Sequence, residues 1–311
     1  MARLSSSSSA AGAKATGAST STSTSNGSLA PTNDDNPTKK RASASAGQEG
    51  DDSNDDNLDI ADYSSAHSPH TSKPLPYDES LLPEGKRSLS HISLQAFLLG
   101  LTFATSLILG SQIAYHGNPI WRFFAFSTTL SLFHFLEFWT TATYNPLVAR
   151  SSSFLLFSNG TAYNLAHACA VLEILASHFL FPAWQARFTN TLTIVLGLLL
   201  VLFGQITRSA AMATAGKSFN HIPQKQKKDD HDLVTSGVYA WSRHPSYFAF
   251  FWWALGTQIL VGNKLCLLAY VVALWRFFKL RIVAEERNLV DFFGKDYEEY
   301  RKRTSVGIPF I

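Results

Sequence analysis

Residues 246–283 read SYFAFFWWALGTQILVGNKLCLLAYVVALWRFFKLRIV. Two apolar runs, about 246–262 and 264–283, are parted only by Gly262-Asn263. Each is close to the roughly 20 residues that a helix needs to cross about 30 Å of hydrocarbon. The Gly-Asn pair between them is turn chemistry, so the stretch predicts a tight helical hairpin. Toward the N-terminus lie four more runs of this kind, about 92–115, 120–143, 161–183 and 190–214. The fold class that follows is all-α: a polytopic integral membrane protein of about six transmembrane helices. A soluble helical protein is the alternative, but the remaining chain is too short to cover six such segments.

Whole-chain averages hide this pattern. Of 311 residues, 46% are hydrophobic and 16% charged, with a mean hydropathy of +0.01, as in an ordinary soluble protein. Residues 1–88 pull the mean down. They include SSSSSAAGAKATGASTSTSTSNGS and DDNPTKKRASASAGQEGDDSNDDNLD. Such a segment buries too little apolar surface to offset its ordering entropy, so it reads as a disordered Ser/Thr/Asp-rich cytosolic tail. No apolar core follows Met1 as in a signal peptide, and the Asp residues after Asn33 argue against a transit peptide. Residues 89–311 are then the membrane domain.

The net charge of +3 and the lack of a basic, aromatic-interleaved stripe argue against a nucleic-acid partner. Cys169 and Cys266 both lie in apolar runs. Two cysteines cannot form a disulfide framework or a four-ligand zinc site, so both read as packing residues and no metal is expected. Lys and Arg set the orientation. With the tail in the cytosol, the loops 144–160 and 215–245 and the C-terminus share that side. Lys86, Arg87, Arg150, Lys217, Lys225, Lys227, Lys228 and Arg243 fall there, and only Arg122, Arg187 and Lys264 fall on the other.

Some ionisable residues sit inside the runs. His134 and Glu137, three apart, share a helix face; His167, Glu173 and His178 lie in the next run. They could line a polar interior or hydrogen-bond between helices to fix packing; the packing reading is preferred.

The hairpin is entered through LVTSGVYAWSRHP, 233–245. Pro245 suits a first helical turn, where its missing N–H costs nothing. A helix N-terminus offers unpaired N–H groups and partial positive charge, a seat for a carboxylate. Thr235-Ser236-Gly237 is a turn signal that would fold 231–239 beside it. For Arg243 and His244, ligand contact and interfacial snorkelling both stay open. At the far end, KLRIVAEERN (279–288) puts Arg281 and Glu285 four apart. They are either an intrahelical ion pair or two charges that meet different ligands.

The ordered set of RHPSY at 243–247, a hairpin, R-x-x-x-E-E at 281–286, FGKDYEEYRKR at 293–303 and a final IPF at 308–310 resembles the isoprenylcysteine carboxyl methyltransferase family. The resemblance is strongest over about 215–311. It implies an enzyme of the endoplasmic reticulum membrane, multi-pass with both termini cytosolic. Its reaction would be S-adenosyl-L-methionine-dependent methylation of the C-terminal isoprenylcysteine α-carboxylate of prenylated CaaX proteins. It implies a cytosolic cofactor site made of Gln224, the run His231-Asp232-Leu233-Val234, Tyr239, the run His244-Pro245-Ser246-Tyr247, and Glu285. Arg281 would be the catalytic, substrate-binding residue. The partners implied are prenylated proteins and the lipid bilayer. Where the family usually has glycine after RHPxYx, this chain has Ala249.

The chemistry suits these residue types. A C-terminal carboxylate, with a pKa near 3.3–3.7, is ionised at neutral pH and needs no general base. Three competing functions remain. One is a phospholipid or other small-lipid methyltransferase, in which an amine accepts the methyl group. The second is a membrane reductase, for which no GxGxxG fingerprint is present. The third is a non-catalytic lipid-binding or scaffold protein.

Overall fold

A computed structural model describes residues 78–224, 226–227 and 231–311. The expected disordered tail lies, up to residue 77, outside the described residues. Residues 78–88 are turns: Asp78 Oδ1 accepts from Ser80 N at 2.9 Å, Arg87 N donates to Ser80 O at 2.8 Å, and Ser88 caps the first helix. The helices are α1 (Leu89–Tyr115), α2 (Trp121–Tyr144), α3 (Thr161–Phe179), α4 (Pro182–Phe188), α5 (Thr191–Ala215), α6 (Pro245–Val261), α7 (Lys264–Phe293) and α8 (Lys295–Arg303). No strand occurs among the described residues. Every apolar run is thus helical.

Two helices, α1 and α5, are long and apolar enough to cross a membrane by length and composition. A third span is possible if α3 and α4 count as one, bent by 111°. The run 161–183 is therefore not one straight helix. Pro182 opens α4 and Phe181 before it is non-helical (φ −136°, ψ 54°), because the residue before proline is pushed out of the helical region. Helix α1 packs on α2 and exposes Leu94, Phe97, Leu101 and Ile108, the surface of a helix whose solvent is lipid.

The core is the α5–α6 pair, and small residues let the two backbones touch. A Cβ at Gly197 would sit 2.4 Å from Leu260 N. One at Gly204 would sit 2.7 Å from Ala249 O, and one at Gly256 3.0 Å from Gly197 O. Each helix thus carries two small residues seven apart on the face it turns to the other, a close-packing device of membrane helices. Ala249 is fully buried in this seam, so the small residue there serves helix packing.

The hairpin forms as its turn chemistry predicts. Gly262 ends α6 in the left-handed region (φ +74°), where a Cβ would strike Thr189 Oγ1 at 2.4 Å. Asn263 is fully buried; its Nδ2 donates to Gln258 Oε1 at 2.9 Å and to Ala170 O at 3.0 Å. Glu173, one of the ionisable residues inside the runs, caps α7 instead of facing a path. Its carboxylate accepts Leu265 N at 2.9 Å and Cys266 N at 2.7 Å.

Candidate functional site

The sequence 236–247 folds as a turn and a helix start. Gly237 takes φ +58° and begins a 3-10 turn, Gly237–Ala240, and Pro245 opens α6. His244 O accepts from Tyr247 N and Phe248 N, each at 3.0 Å. His244 is buried, and its ring stacks on Tyr247 with centroids 5.5 Å apart and planes 4° apart.

Beside this helix mouth lies a cleft with about 690 Å³ of empty space, part of it open to solvent. The run His231–Val234, Tyr239, the run His244–Tyr247 and Glu285 all line it, joined by Phe219, Leu289 and Phe293. Sequence positions more than fifty residues apart thus converge. Gln224 and Arg281 do not line the cleft.

Arg281 and Glu285 share a face of α7 but do not pair directly. Tyr247 stands between them: its hydroxyl donates to Glu285 Oε2 at 2.5 Å and accepts from Arg281 Nε at 2.9 Å. Arg281 also lies over the Tyr247 ring at 5.2 Å, and its Nη2 donates to His221 O. Of its five N–H donors, three have no hydrogen bond among the described residues. The charges are therefore not a direct intrahelical ion pair but the two ends of one side-chain array.

Before the turn, the described residues 216–224 and 231–235 form a strap beside the site. Asn145, at the C-terminal end of α2, donates from Nδ2 to Lys217 O at 3.2 Å and Phe219 O at 3.1 Å. Ser218 Oγ accepts from Asp232 N at 3.2 Å. The rings of Phe292 and Phe293 meet His231 edge-on, with centroids 6.1 and 5.6 Å away. Burial lowers the pKa of His221, although Glu137 opposes this. Burial likewise raises the Tyr239 phenol.

Arg243 lines the cleft, but its guanidinium is spent on partners within the protein. Its Nε and Nη2 reach Glu286 Oε1 at 2.8 and 2.7 Å, and its Nη1 donates to Thr304 O. Arg243 N donates to Ser305 O at 2.9 Å and Ser242 Oγ to Val306 O at 2.8 Å. The C-terminal segment is thereby clasped against the turn. Burial pushes the Glu286 carboxyl up, but hydrogen bonds from His244 and Arg243 outweigh it and hold it at about 2.

Behind α6 lies a group that the sequence reading did not assemble. Arg208 of α5 grips Glu137 of α2 with two bonds, Nε to Oε1 and Nη2 to Oε2 at 2.9 Å. Its Nη1 donates to Ser246 Oγ at 2.8 Å. The signal was present: Arg208 is the one charged residue of run 190–214, and Glu137 the one acid of run 120–143. His134 is likewise a packing residue, with Nδ1 2.7 Å from Phe154 O and Nε2 3.2 Å from Tyr163 Oη.

The cleft's donor set fits S-adenosylmethionine. Of the two lining carboxylates, Asp232 and Glu285, Glu285 suits an ammonium; the first turn of α6 suits a carboxylate; Phe219, Tyr239 and Phe293 suit a purine ring. Among the described residues, no group of three or more His, Cys, Asp or Glu is arranged to hold a metal.

The profile of the isoprenylcysteine carboxyl methyltransferase family matches residues 195–291, the stretch from α5 through the strap and α6 to the end of α7. A protein-S-isoprenylcysteine O-methyltransferase of Saccharomyces cerevisiae is 47% identical over 238 residues, 75% of this chain and 97% of that protein. The chain belongs to the isoprenylcysteine carboxyl methyltransferase family. The Homo sapiens protein of the same name is 41% identical over 221 residues, 71% of this chain and 75% of its own. A solved structure described as the eukaryotic intramembrane Ras methyltransferase ICMT matches with a TM-score of 0.65 at 39% identity. That match covers 71% of this chain and 77% of that one. Membership makes this chain an integral membrane methyltransferase.

Proposed function

We propose that the protein transfers a methyl group from S-adenosyl-L-methionine to the C-terminal isoprenylcysteine α-carboxylate of prenylated CaaX proteins. The products are a methyl ester and S-adenosylhomocysteine. The observation that carries this reading is the Arg281–Tyr247–Glu285 array. It offers a cation for an acceptor carboxylate and an anion for a donor ammonium, held apart by one hydroxyl.

S-adenosylmethionine, when bound, supplies a methyl group made electrophilic by its sulfonium charge. Glu285 would hold its ammonium and the first turn of α6 its carboxylate, with the strap residues His231–Val234 and Tyr239 around the remainder. Gln224 would join them from the strap. Arg281 would take the acceptor carboxylate on its open N–H groups. That carboxylate is already ionised, so no side chain removes a proton. Arg281 must orient it without quenching it, and orientation of this kind lowers barriers by up to about 7–11 kcal/mol. Among the described residues, Nη1 keeps both of its N–H groups and Nη2 one, so both terminal nitrogens retain a donor for that carboxylate. The prenyl chain, being hydrocarbon, would come from the bilayer, and the donor from the cytosol. We place the enzyme in the endoplasmic reticulum membrane with six spans and both termini cytosolic.

The test is transfer of labelled methyl from S-adenosylmethionine to N-acetyl-S-farnesylcysteine, counted as base-labile ester. Ester should form with the wild type and vanish in Arg281→Ala, while S-adenosylhomocysteine binding persists. Full turnover by Arg281→Ala would remove its assigned role. Label on phosphatidylethanolamine in place of the carboxylate would move the reading to a lipid methyltransferase.

A further inference from the structure

Four main-chain carbonyls of the strap are fixed by side chains from outside it. Asn145 takes Lys217 O and Phe219 O, Arg281 takes His221 O, and Asn288 Nδ2 donates to Gln224 O at 3.0 Å. Arg281, Glu285 and Asn288 stand at i, i+4 and i+7 on α7, so they share one face. The first two have proposed ligands. Asn288 has none; it closes the stretch KLRIVAEERN, where only Arg281 and Glu285 were given roles, and it does not line the cleft.

We infer that Asn288 is a positioning residue that anchors Gln224 at the rim of the cleft and thereby sets the affinity for the methyl donor. The inference rests on the proposed function above and deepens it. Leu289, the next residue, lines the cleft, as does Glu285 one turn earlier. A tie from Asn288 to the Gln224 main chain therefore holds Gln224 within about a turn of the cleft wall. The Gln224 side chain spends only its Nε2, on Ile222 O at 3.3 Å. Its Oε1 carries no hydrogen bond among the described residues and is available to a donor group of a ligand. The tie needs an amide: an N–H must face the carbonyl, and a carboxylate of the same shape offers only acceptors.

The test uses the purified full-length protein in lipid nanodiscs and S-adenosylhomocysteine as the probe. Its binding is measured by calorimetry for the wild type, Asn288→Asp, Gln224→Ala and the double variant, with steady-state methyl transfer alongside. Asn288→Asp should weaken binding by about two- to tenfold, the range one neutral hydrogen bond carries. It should raise KM for S-adenosylmethionine equally, leaving kcat and KM for the farnesylcysteine acceptor unchanged. Because Asn288 acts through Gln224, the double variant should bind no worse than Gln224→Ala alone. Wild-type affinity in Asn288→Asp, or additive losses in the double variant, would overturn the inference. A wild type that binds no S-adenosylhomocysteine would instead overturn the methyl-donor reading, and this inference with it.

Discussion

Glu137→Leu isolates the buried ion pair behind the site. The Glu137 and Arg208 side chains are only 1% and 10% exposed. Removing one partner of such a pair costs about 3–5 kcal/mol, because the other charge stays buried. Arg208 would not be wholly stranded. It keeps Ser246 Oγ and O as acceptors and lies 5.4 Å from the ring centres of Phe133 and Phe250. The loss should therefore sit near about 3 kcal/mol, roughly a hundredfold in the folded-to-unfolded ratio. The second variant, Glu137→Leu with Arg208→Met, removes both charges and fills the space with apolar side chains. It should be more stable than Glu137→Leu, since apolar replacement of a whole buried pair is often neutral or better. SDS titration of purified protein in mixed micelles measures both. The double variant should still bind S-adenosylhomocysteine poorly, because Ser246 has lost its donor. A Glu137→Leu protein that unfolds with the wild type would refute the reasoning. So would a double variant carrying the sum of the single losses.

Acid should act on the clasp through Glu286. Its carboxyl is depressed from 4.5 to about 2, so its contribution is complete above pH 4.5 and is lost as pH falls toward 2. The shift is on the order of 3 kcal/mol. Glu286→Gln should lower stability at neutral pH and flatten the acid limb of the unfolding profile between those values; an unchanged limb would contradict the assignment. Gly197→Leu should separate α5 from α6, since even a Cβ lies 2.4 Å from Leu260 N. A loss of about 1–3 kcal/mol or more is expected from such overpacking. Gly100→Leu on α1, where a Cβ meets nothing within 4 Å, should leave the unfolding temperature unchanged.

Helices and turns were legible because their signals are local. Pro245 and the Gly262-Asn263 pair bound α6 wherever the rest of the chain goes, and the resemblance supplied ten positions that converge on one cleft. Partnerships were less legible, because they depend on which helices meet. The i, i+4 spacing of Arg281 and Glu285 left an ion pair and separate ligands equally open. The arrival of Tyr247 from α6, which bridges the two side chains, could not be read from that spacing. For Arg243, ligand contact and snorkelling both stayed open in the sequence, because its partners, Glu286 and residues 304–305, are distant in it. Glu173 read as a residue inside an apolar run, yet it meets two N–H groups of α7 that no spacing on α3 could reveal. The bend at Phe181, by contrast, was available from Pro182 and the residue before it.

A transfer that needs no acid or base depends on placement, and sites of that kind demand support within about 0.5 Å. The mouth of α6 is supported from three independent directions. Arg208 of α5 fixes Ser246 from behind, and Glu286 of α7 meets Arg243 and, at 3.4 Å, His244 Nε2. The C-terminal segment takes Ser242 Oγ on Val306 O, and Tyr300 Oη donates to Tyr239 O at 2.6 Å. Glu137, Arg243, Glu286 and Tyr300 thus hold the residues proposed to touch ligand without sharing the array that would hold the reacting groups. This division accounts for the composition of the stretch 242–247. Ser242 and Arg243 are spent on support and His244 on both roles, while Ser246 and Tyr247 turn the supported helix start toward the cleft. It also gives a reason for a charged cluster at the entrance to an apolar helix: the charges immobilise the end of that helix where the proposed donor and acceptor would meet.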